Sequence, residues 1–155
     1  MTQPNRIQVN VKFLHPMWEE FELEPATDQS AGTDLRACLD DAEWTVPPGG
    51  RILVPTGLAI DIAQPGVAGF VFSRSGLGVK HGLTVAQGVG VIDPDYRGEI
   101  KVGLLNTSGE ERTISRGQRI AQLLFLPYFP AELVPCDDLS ETVRGAGGFG
   151  HTGSR

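Results

Sequence analysis

Glycine and proline interrupt this chain so often that a long helix finds little room in it. The 155 residues include 20 Gly and 11 Pro, a fifth of the chain where about 12% is usual. Both disfavour helix interiors, glycine through backbone entropy and proline through its missing N–H. A helical bundle or coiled coil is therefore excluded. Hydrophobic residues make up 40% of the chain, enough for a core and too many for a disordered Gly/Pro linker. Glycine keeps no sustained three-residue repeat, so collagen is excluded as well. What remains is one compact domain rich in tight turns.

Between the interruptions the apolar residues alternate. Ile7, Val9, Val11 and Phe13 recur at period two, the mark of a half-buried strand. Pro47-Pro48-Gly49-Gly50 reads as a turn, after which Ile52 and Val54 begin a second strand and Leu58, Ile60 and Ile62 a third. Gln64-Pro65-Gly66 is another turn. Val67 to Phe72 and Leu83 to Val85 read as strands, and Ile100, Val102 and Leu104 alternate. Ile120 to Leu126 is almost continuously apolar until Pro127 and Pro130. That run suits a strand buried on both faces or at a subunit contact, or else a helical turn or two. Short strands joined by Gly/Pro turns predict an all-β sandwich or barrel with at most one short helix, placed after Ser73.

The domain is expected over residues 1–143. The last segment, RGAGGFGHTGSR at 144–155, holds five glycines and one large apolar residue, Phe149. It cannot bury enough surface to fix itself. It reads as a frayed terminus or as a flexible arm that orders over a ligand. Phe149 between Arg144 and His151 fits an arm that stacks on a base and touches phosphate.

Charge and cysteine content narrow the function. The net charge of −6 argues against stable nucleic-acid binding, which needs a basic face, and leaves room for a small anionic ligand. Cys38 and Cys136 form neither a CxxC pair nor a disulfide framework, so they read as free thiols in a reducing compartment. The N-terminal MTQPNRIQ has no basic-then-apolar leader and no apolar run is long enough for a membrane span. A cytoplasmic protein is expected. Gly145 to Gly150 spells GxGxxG, but the dinucleotide fingerprint needs a strand before it and a helix after it. The three histidines, His15, His81 and His151, are scattered and predict no metal cluster.

Three segments carry chemistry. SRSGLG at 73–78 offers a guanidinium, hydroxyls and backbone N–H groups within one turn, suited to an anion; an ordinary turn would look the same. GVGVIDPDYRGEIK at 88–101 carries an apolar hairpin into Asp93-Pro94-Asp95-Tyr96. A carboxylate at such a strand end suits a general base beside a pocket, although a polar hairpin turn has the same composition. Chemistry alone does not choose between Asp93 and Asp95. The third segment is the 144–155 tail.

Five segments in order resemble the homotrimeric dUTPase family of bacterial type: AGTDLRA at 31–37, SRSGLG at 73–78, GVGVIDPDYRGEI at 88–100, RGQRIAQLLF at 116–125 and RGAGGFGHTG at 144–153. The resemblance covers about residues 7 to 153. It implies a jelly-roll-like β-clip fold, a trimer with shared active sites, and Mg²⁺-assisted cleavage of dUTP to dUMP and pyrophosphate, which supplies dUMP and keeps uracil out of DNA. Carried over by the resemblance, Asp93 is the base that activates water for attack on the α-phosphorus. Tyr96 packs on the deoxyribose and excludes a 2′-hydroxyl. The backbone from Gln87 through Gly90, Val91 and Ile92 pairs with the uracil edge. Arg74, Ser75 and Gly76 hold phosphate oxygens, with Gln122 from another subunit. Lys101 matches a substrate contact. Arg144 clamps the terminal phosphates, Phe149 stacks on uracil beside Gly150, and Asp34 supports the polar network. Mg²⁺ is expected on the phosphates and waters, with no direct protein ligand.

Two departures stand out: Gln87 replaces the Asn of many bacterial members, and Ser73 replaces a common Pro. The related dCTP deaminases share the fold and use a glutamate that falls here at Gly103, so deamination or a bifunctional form lacks its acid/base group. A non-catalytic trimeric binding protein is the other alternative. The complete set Arg74, Asp93, Tyr96, Gln122, Arg144 and Phe149 argues against it.

Overall fold

A computed structural model describes residues 6–148, in which eleven short strands and one short helix surround a single core. The strands pair antiparallel throughout. Strand β1 (Val9–Phe13) pairs with β5 (Leu58–Ile62), and β3 (Glu43–Val46) with β10 (Arg112–Ser115). Strands β4 (Arg51–Pro55), β9 (Lys101–Asn106) and β7 (Leu83–Val85) make a sheet in the order β4-β9-β7. Strands β2 (Thr33–Arg36), β11 (Arg119–Pro127), β6 (Val67–Ser73) and β8 (Val89–Ile92) make a sheet in the order β2-β11-β6-β8. The expected strands are present, as are the turns at Gly49 and Gly66, both with positive φ. The apolar run at 120–126 is strand and not helix. It runs between β2 and β6 in the sheet, with Ile120, Ala121 and Leu123 buried and Gln122 left to line a cavity.

Helix α1 (Ser75–His81) is the one expected after Ser73. It buries Leu77 and stops at Gly82, whose φ of 69° is the left-handed conformation that closes a helix C-terminus at no Cβ cost. Lys80 and His81 sit in its last turn, where cations suit the helix dipole. Leu35, Leu39, Leu58, Leu104, Ile114 and Ile120 are fully buried, each contributing about 1.5–3 kcal/mol by burial. Among the described residues the one deeply buried side-chain amide is fully satisfied. Asn106 donates to the carbonyls of Val46 and Glu110, and its Oδ1 accepts from the N–H and hydroxyl of Ser108. Cys38 is buried, its Sγ close against Gly57. Desolvation, with the nearby Glu99 charge, pushes its thiol up to about 11.

One expectation is corrected. The segment before Asp93 is not a hairpin of two strands paired with each other. Strand β7 pairs with β9 and β8 pairs with β6, so residues 86–88 turn a corner between two sheets. Gly88, at φ 81°, makes that corner, and the Ala86 N–H continues the β9 ladder by donating to the Gly103 carbonyl. After Tyr128, whose N–H donates to the Gly66 carbonyl, residues 129–148 form no strand or helix and are almost wholly exposed. The expected boundary at 143/144 lies inside this stretch.

Candidate active site

Two cavities hold nearly all the described residues singled out from the sequence, and they share no lining residue. The first has a volume of about 750 Å³ and lies where β2, β11 and the start of α1 converge. Strand register brings its polar residues together: Gln122 stands opposite Asp34 on one side and Phe72 on the other. The Asp34 carboxylate, half-buried, takes Arg74 Nε at 2.8 Å on one oxygen and Arg119 Nη1 at 3.2 Å on the other. Arg74 Nη1 also donates to the Arg119 carbonyl at 3.3 Å, and Gln122 Nε2 to the Ser73 carbonyl at 3.1 Å, so Gln122 lines this cavity from the same chain as Arg74 and not, as expected, from another subunit. Asp34 therefore holds two guanidiniums in place. Ser75 and Gly76 line the same wall and are exposed. A Cβ at Gly76 would meet nothing within 4 Å, so its backbone is open to a ligand.

The second cavity, about 510 Å³, contains Asp93, Tyr96, Gln87, Gly90, Val91, Ile92 and Lys101. Asp93 opens the turn after β8, its carbonyl accepting the Tyr96 N–H at 3.0 Å. The Tyr96 hydroxyl donates to the Glu99 carbonyl at 2.9 Å, which fixes the ring across the cavity. Asp93 lines this cavity and Asp95 does not, whereas both line a further cavity with Phe70 and Tyr128. Gln87 lies between two glycines. Its Nε2 is 3.3 Å from where a Cβ would stand on Gly90, and its Oε1 is 3.4 Å from that of Gly103. The position that would carry a deaminase glutamate thus faces the Gln87 amide and bears no side chain.

Glu99 was not singled out from the sequence, yet it organises this wall. Its Oε1 accepts the Gly57 N–H at 2.9 Å and its Oε2 lies 3.6 Å from Lys101 Nζ. Arg119 was likewise missed as a site residue. The signal was the second arginine of RGQR, three positions before Gln122.

Asp93 and Arg74 sit well apart within one protomer, although the two cavities approach each other where Leu83 lines one and Val85 the other. Ile92 pairs with Gly69, and Asp93 follows it, whereas Arg74 follows Ser73 at the other end of β6. Five residue steps along β6 and just past its end lead from Gly69 to Arg74, about 17 Å. Arg144 lines neither cavity; its Nε donates to the Gly147 carbonyl within its own turn. Phe149 and Gly150 lie outside the described residues. Among the described residues no helix is long and apolar enough to cross a membrane, and no three His, Cys, Asp or Glu side chains cluster as metal ligands.

Comparison with known proteins supplies the context. A family model described as dUTPase matches residues 21–153. A deoxyuridine 5'-triphosphate nucleotidohydrolase of Desulfitobacterium hafniense is 48% identical over 149 residues, covering 96% of this chain and 98% of that protein. One from Escherichia coli is 49% identical over 148 residues, covering 94% and 97%. Among solved structures, a variant dUTPase of Staphylococcus bacteriophage 80alpha with dUpNHpp is similar at TM-score 0.81 and 24% identity, covering 94% of this chain and 98% of that one. A Streptococcus mutans dUTPase is similar at TM-score 0.64 and 29% identity, covering 71% and 88%. The shared architecture is the jelly-roll type.

Proposed function

This chain belongs to the dUTPase family, and from that membership we propose how it hydrolyses dUTP to dUMP and pyrophosphate. The observation that carries the reading is the division of labour between the cavities. One contains Asp93 beside an amide, a tyrosine and open backbone; the other contains Arg74, Arg119, Ser75 and Gln122. The first suits a nucleoside and the second its phosphates.

In this reading the Gln87 amide and the backbone of Gly90, Val91 and Ile92 read the uracil edge, and Tyr96 lies against the deoxyribose. Lys101 contacts the substrate from the same wall. Asp93 accepts the proton of a water aimed at the α-phosphorus. Water oxygen bonds to that phosphorus, the bond to the α,β-bridging oxygen breaks, and pyrophosphate departs. Arg74, Ser75, Gly76 and Gln122 hold the phosphate oxygens, with Asp34 keeping Arg74 aimed. Arg144, Phe149 and Gly150 close the site as an arm that excludes water.

The separation of about 17 Å between Gly69, beside the strand end that carries Asp93, and Arg74 supports a site built from more than one copy. In a homotrimer, Asp93 of one protomer would meet the Arg74 and Gln122 of another. The donor set also fits Mg²⁺ carried on the triphosphate with its waters, because Asp34 is already engaged by two guanidiniums. Such an ion would draw charge from the leaving pyrophosphate. The two unpaired thiols support a reducing, cytoplasmic setting.

The test is incubation with dUTP, UTP, dTTP and dCTP in Mg²⁺, reading pyrophosphate and ammonia. Pyrophosphate from dUTP alone is expected. Ammonia from dCTP would overturn the assignment, and the bare face of Gly103 argues against it.

A further inference from the structure

The cavity around Arg74 is longer than the phosphate-holding set accounts for. Lys80, His81, Arg112 and Thr113 also line it. Lys80 stands five residues beyond Ser75 on α1, about 7 Å along the helix axis. It is exposed and pairs with no carboxylate among the described residues. Arg112 enters from the start of β10. Its Nε donates to the Ser108 hydroxyl at 3.1 Å, and its Nη1 lies 3.3 Å from Glu110, a carboxylate that is itself 77% exposed. Asp34, the one carboxylate lining the cavity, is engaged by Arg74 and Arg119. This part of the lining therefore sets two cations, Lys80 and Arg112, against a single solvent-facing carboxylate, Glu110, in a chain whose net charge is −6.

We propose that Lys80 and Arg112 form a second anion subsite, which receives inorganic pyrophosphate once it has left the α-phosphorus. The proposal rests on the reading that the Arg74 cavity holds the phosphates. When water adds to the α-phosphorus and the bond to the bridging oxygen breaks, the electron pair stays on that oxygen. The departing pyrophosphate then carries more negative charge than the same two phosphates had as part of the substrate. Leaving the Arg74–Gly76 cradle directly for water would forfeit several charge-assisted hydrogen bonds at once. A compact ammonium and a forked guanidinium further along the same cavity take over those contacts stepwise. The subsite holds product and not substrate, because Arg74, Ser75 and Gly76 fix the triphosphate at the other end of α1.

The test uses the full chain with Lys80→Gln, Arg112→Gln and the double variant, titrated calorimetrically with inorganic pyrophosphate and assayed for pyrophosphate inhibition of dUTP turnover. The double variant is expected to bind pyrophosphate about tenfold more weakly and to lose inhibition by the same factor. Its kcat/KM for dUTP should stay within about twofold of the wild type, since neither side chain grips the substrate. Lys80→Arg should retain binding, which separates lost charge from lost structure. Unchanged pyrophosphate affinity overturns the proposal, as does a parallel fall in kcat/KM, which would put these cations in the substrate grip. Arg74→Gln separates the two readings. If it raises the KM for dUTP while the Lys80 and Arg112 variants bind pyrophosphate normally, only the subsite fails. If Arg74→Gln changes neither KM nor pyrophosphate affinity, the assignment of the whole cavity to phosphate fails.

Discussion

Asp93 reaches its cavity because glycine stands at the right places on two neighbouring strands. A Cβ on Gly69 would come within 3.1 Å of the Ile92 side chain, and one on Gly90 within 3.2 Å of Val71. Bare backbone at both positions lets β6 and β8 lie close, and Asp93 follows directly from the end of β8. Asp93→Asn keeps the size of the side chain and removes its basicity. It should lower kcat by about 10²–10⁴-fold with little change in KM, and steady-state kinetics with dUTP measure both. Near-normal kcat would move the base to Asp95. Tyr96 offers a second test at this scale. A Cβ on Gly98 would lie 2.5 Å from the Tyr96 oxygen, so Gly98→Ala must push the ring aside and break its bond to the Glu99 carbonyl. If the ring is what excludes a 2′-hydroxyl, the ratio of kcat/KM for dUTP over UTP should fall. An unchanged ratio would assign discrimination elsewhere. The residue types at these positions were legible in the sequence. That Gln87 lies between Gly90 and Gly103 was not, because it depends on two separate strand pairings.

At the scale of elements, the turn Arg116–Gly117 is held from outside by the segment after β1. Glu20 takes Arg116 in two hydrogen bonds, Nη2 to Oε1 at 2.9 Å and Nη1 to Oε2 at 3.2 Å. The Phe21 ring packs so closely on Gly117 that a Cβ there would meet it at 2.5 Å, and the Arg36 guanidinium lies 4.7 Å over the same ring. The turn feeds β11 at Arg119, so the clamp sets the start of the strand that carries Arg119 and Gln122. Hydrogen bonding and the charge of Arg116 hold the Glu20 carboxyl below its usual value of 4.5. A lowered folded value contributes stability that is present above pH 4.5 and is lost as pH falls through the folded value. The thermal midpoint of Glu20→Gln should therefore lie below that of the wild type at neutral pH. The gap should close as the pH is taken well below 4.5, and scanning calorimetry across that range measures it. A gap that persists in acid would mean that Glu20 acts through packing and not charge. Sequence reasoning found β1, β4, β5, β6, β7, β9 and β11 because each carries two or more apolar residues in register. It did not single out β2, β3 or β10, whose four-residue segments TDLR, EWTV and RTIS bury one residue apiece. Their pairing partners lie far along the chain, and no local pattern announces them.

At the scale of the molecule, the question is why a lone protomer leaves so much unfinished. Its base-bearing and cation-lined cavities open separately, and Phe129, Leu133 and Leu139 are 93%, 89% and 87% exposed along the stretch after β11. Exposed apolar side chains in series mark a surface that a partner covers. The five matched segments suggested shared sites through family resemblance; the register of β6 and β8 holds Asp93 and Arg74 apart within one chain. If each site takes Asp93 from one copy and Arg74 from another, two inactive variants can repair each other. Asp93→Asn and Arg74→Gln homomers should each be nearly inactive. After unfolding together and refolding, some sites will join an intact Asp93 from one variant with an intact Arg74 from the other. Random assortment of equal amounts restores both groups to about a quarter of the sites, so about a quarter of wild-type turnover should return. Were both groups to act within one chain, every site would keep a lesion and no activity would return. The outcome depends on which chains supply the two groups and not on the strength of either defect, so partial residual activity in one variant would not mimic it. Refolding each variant alone gives the baseline, and activity above the sum of the two baselines is the signature of a site completed between copies.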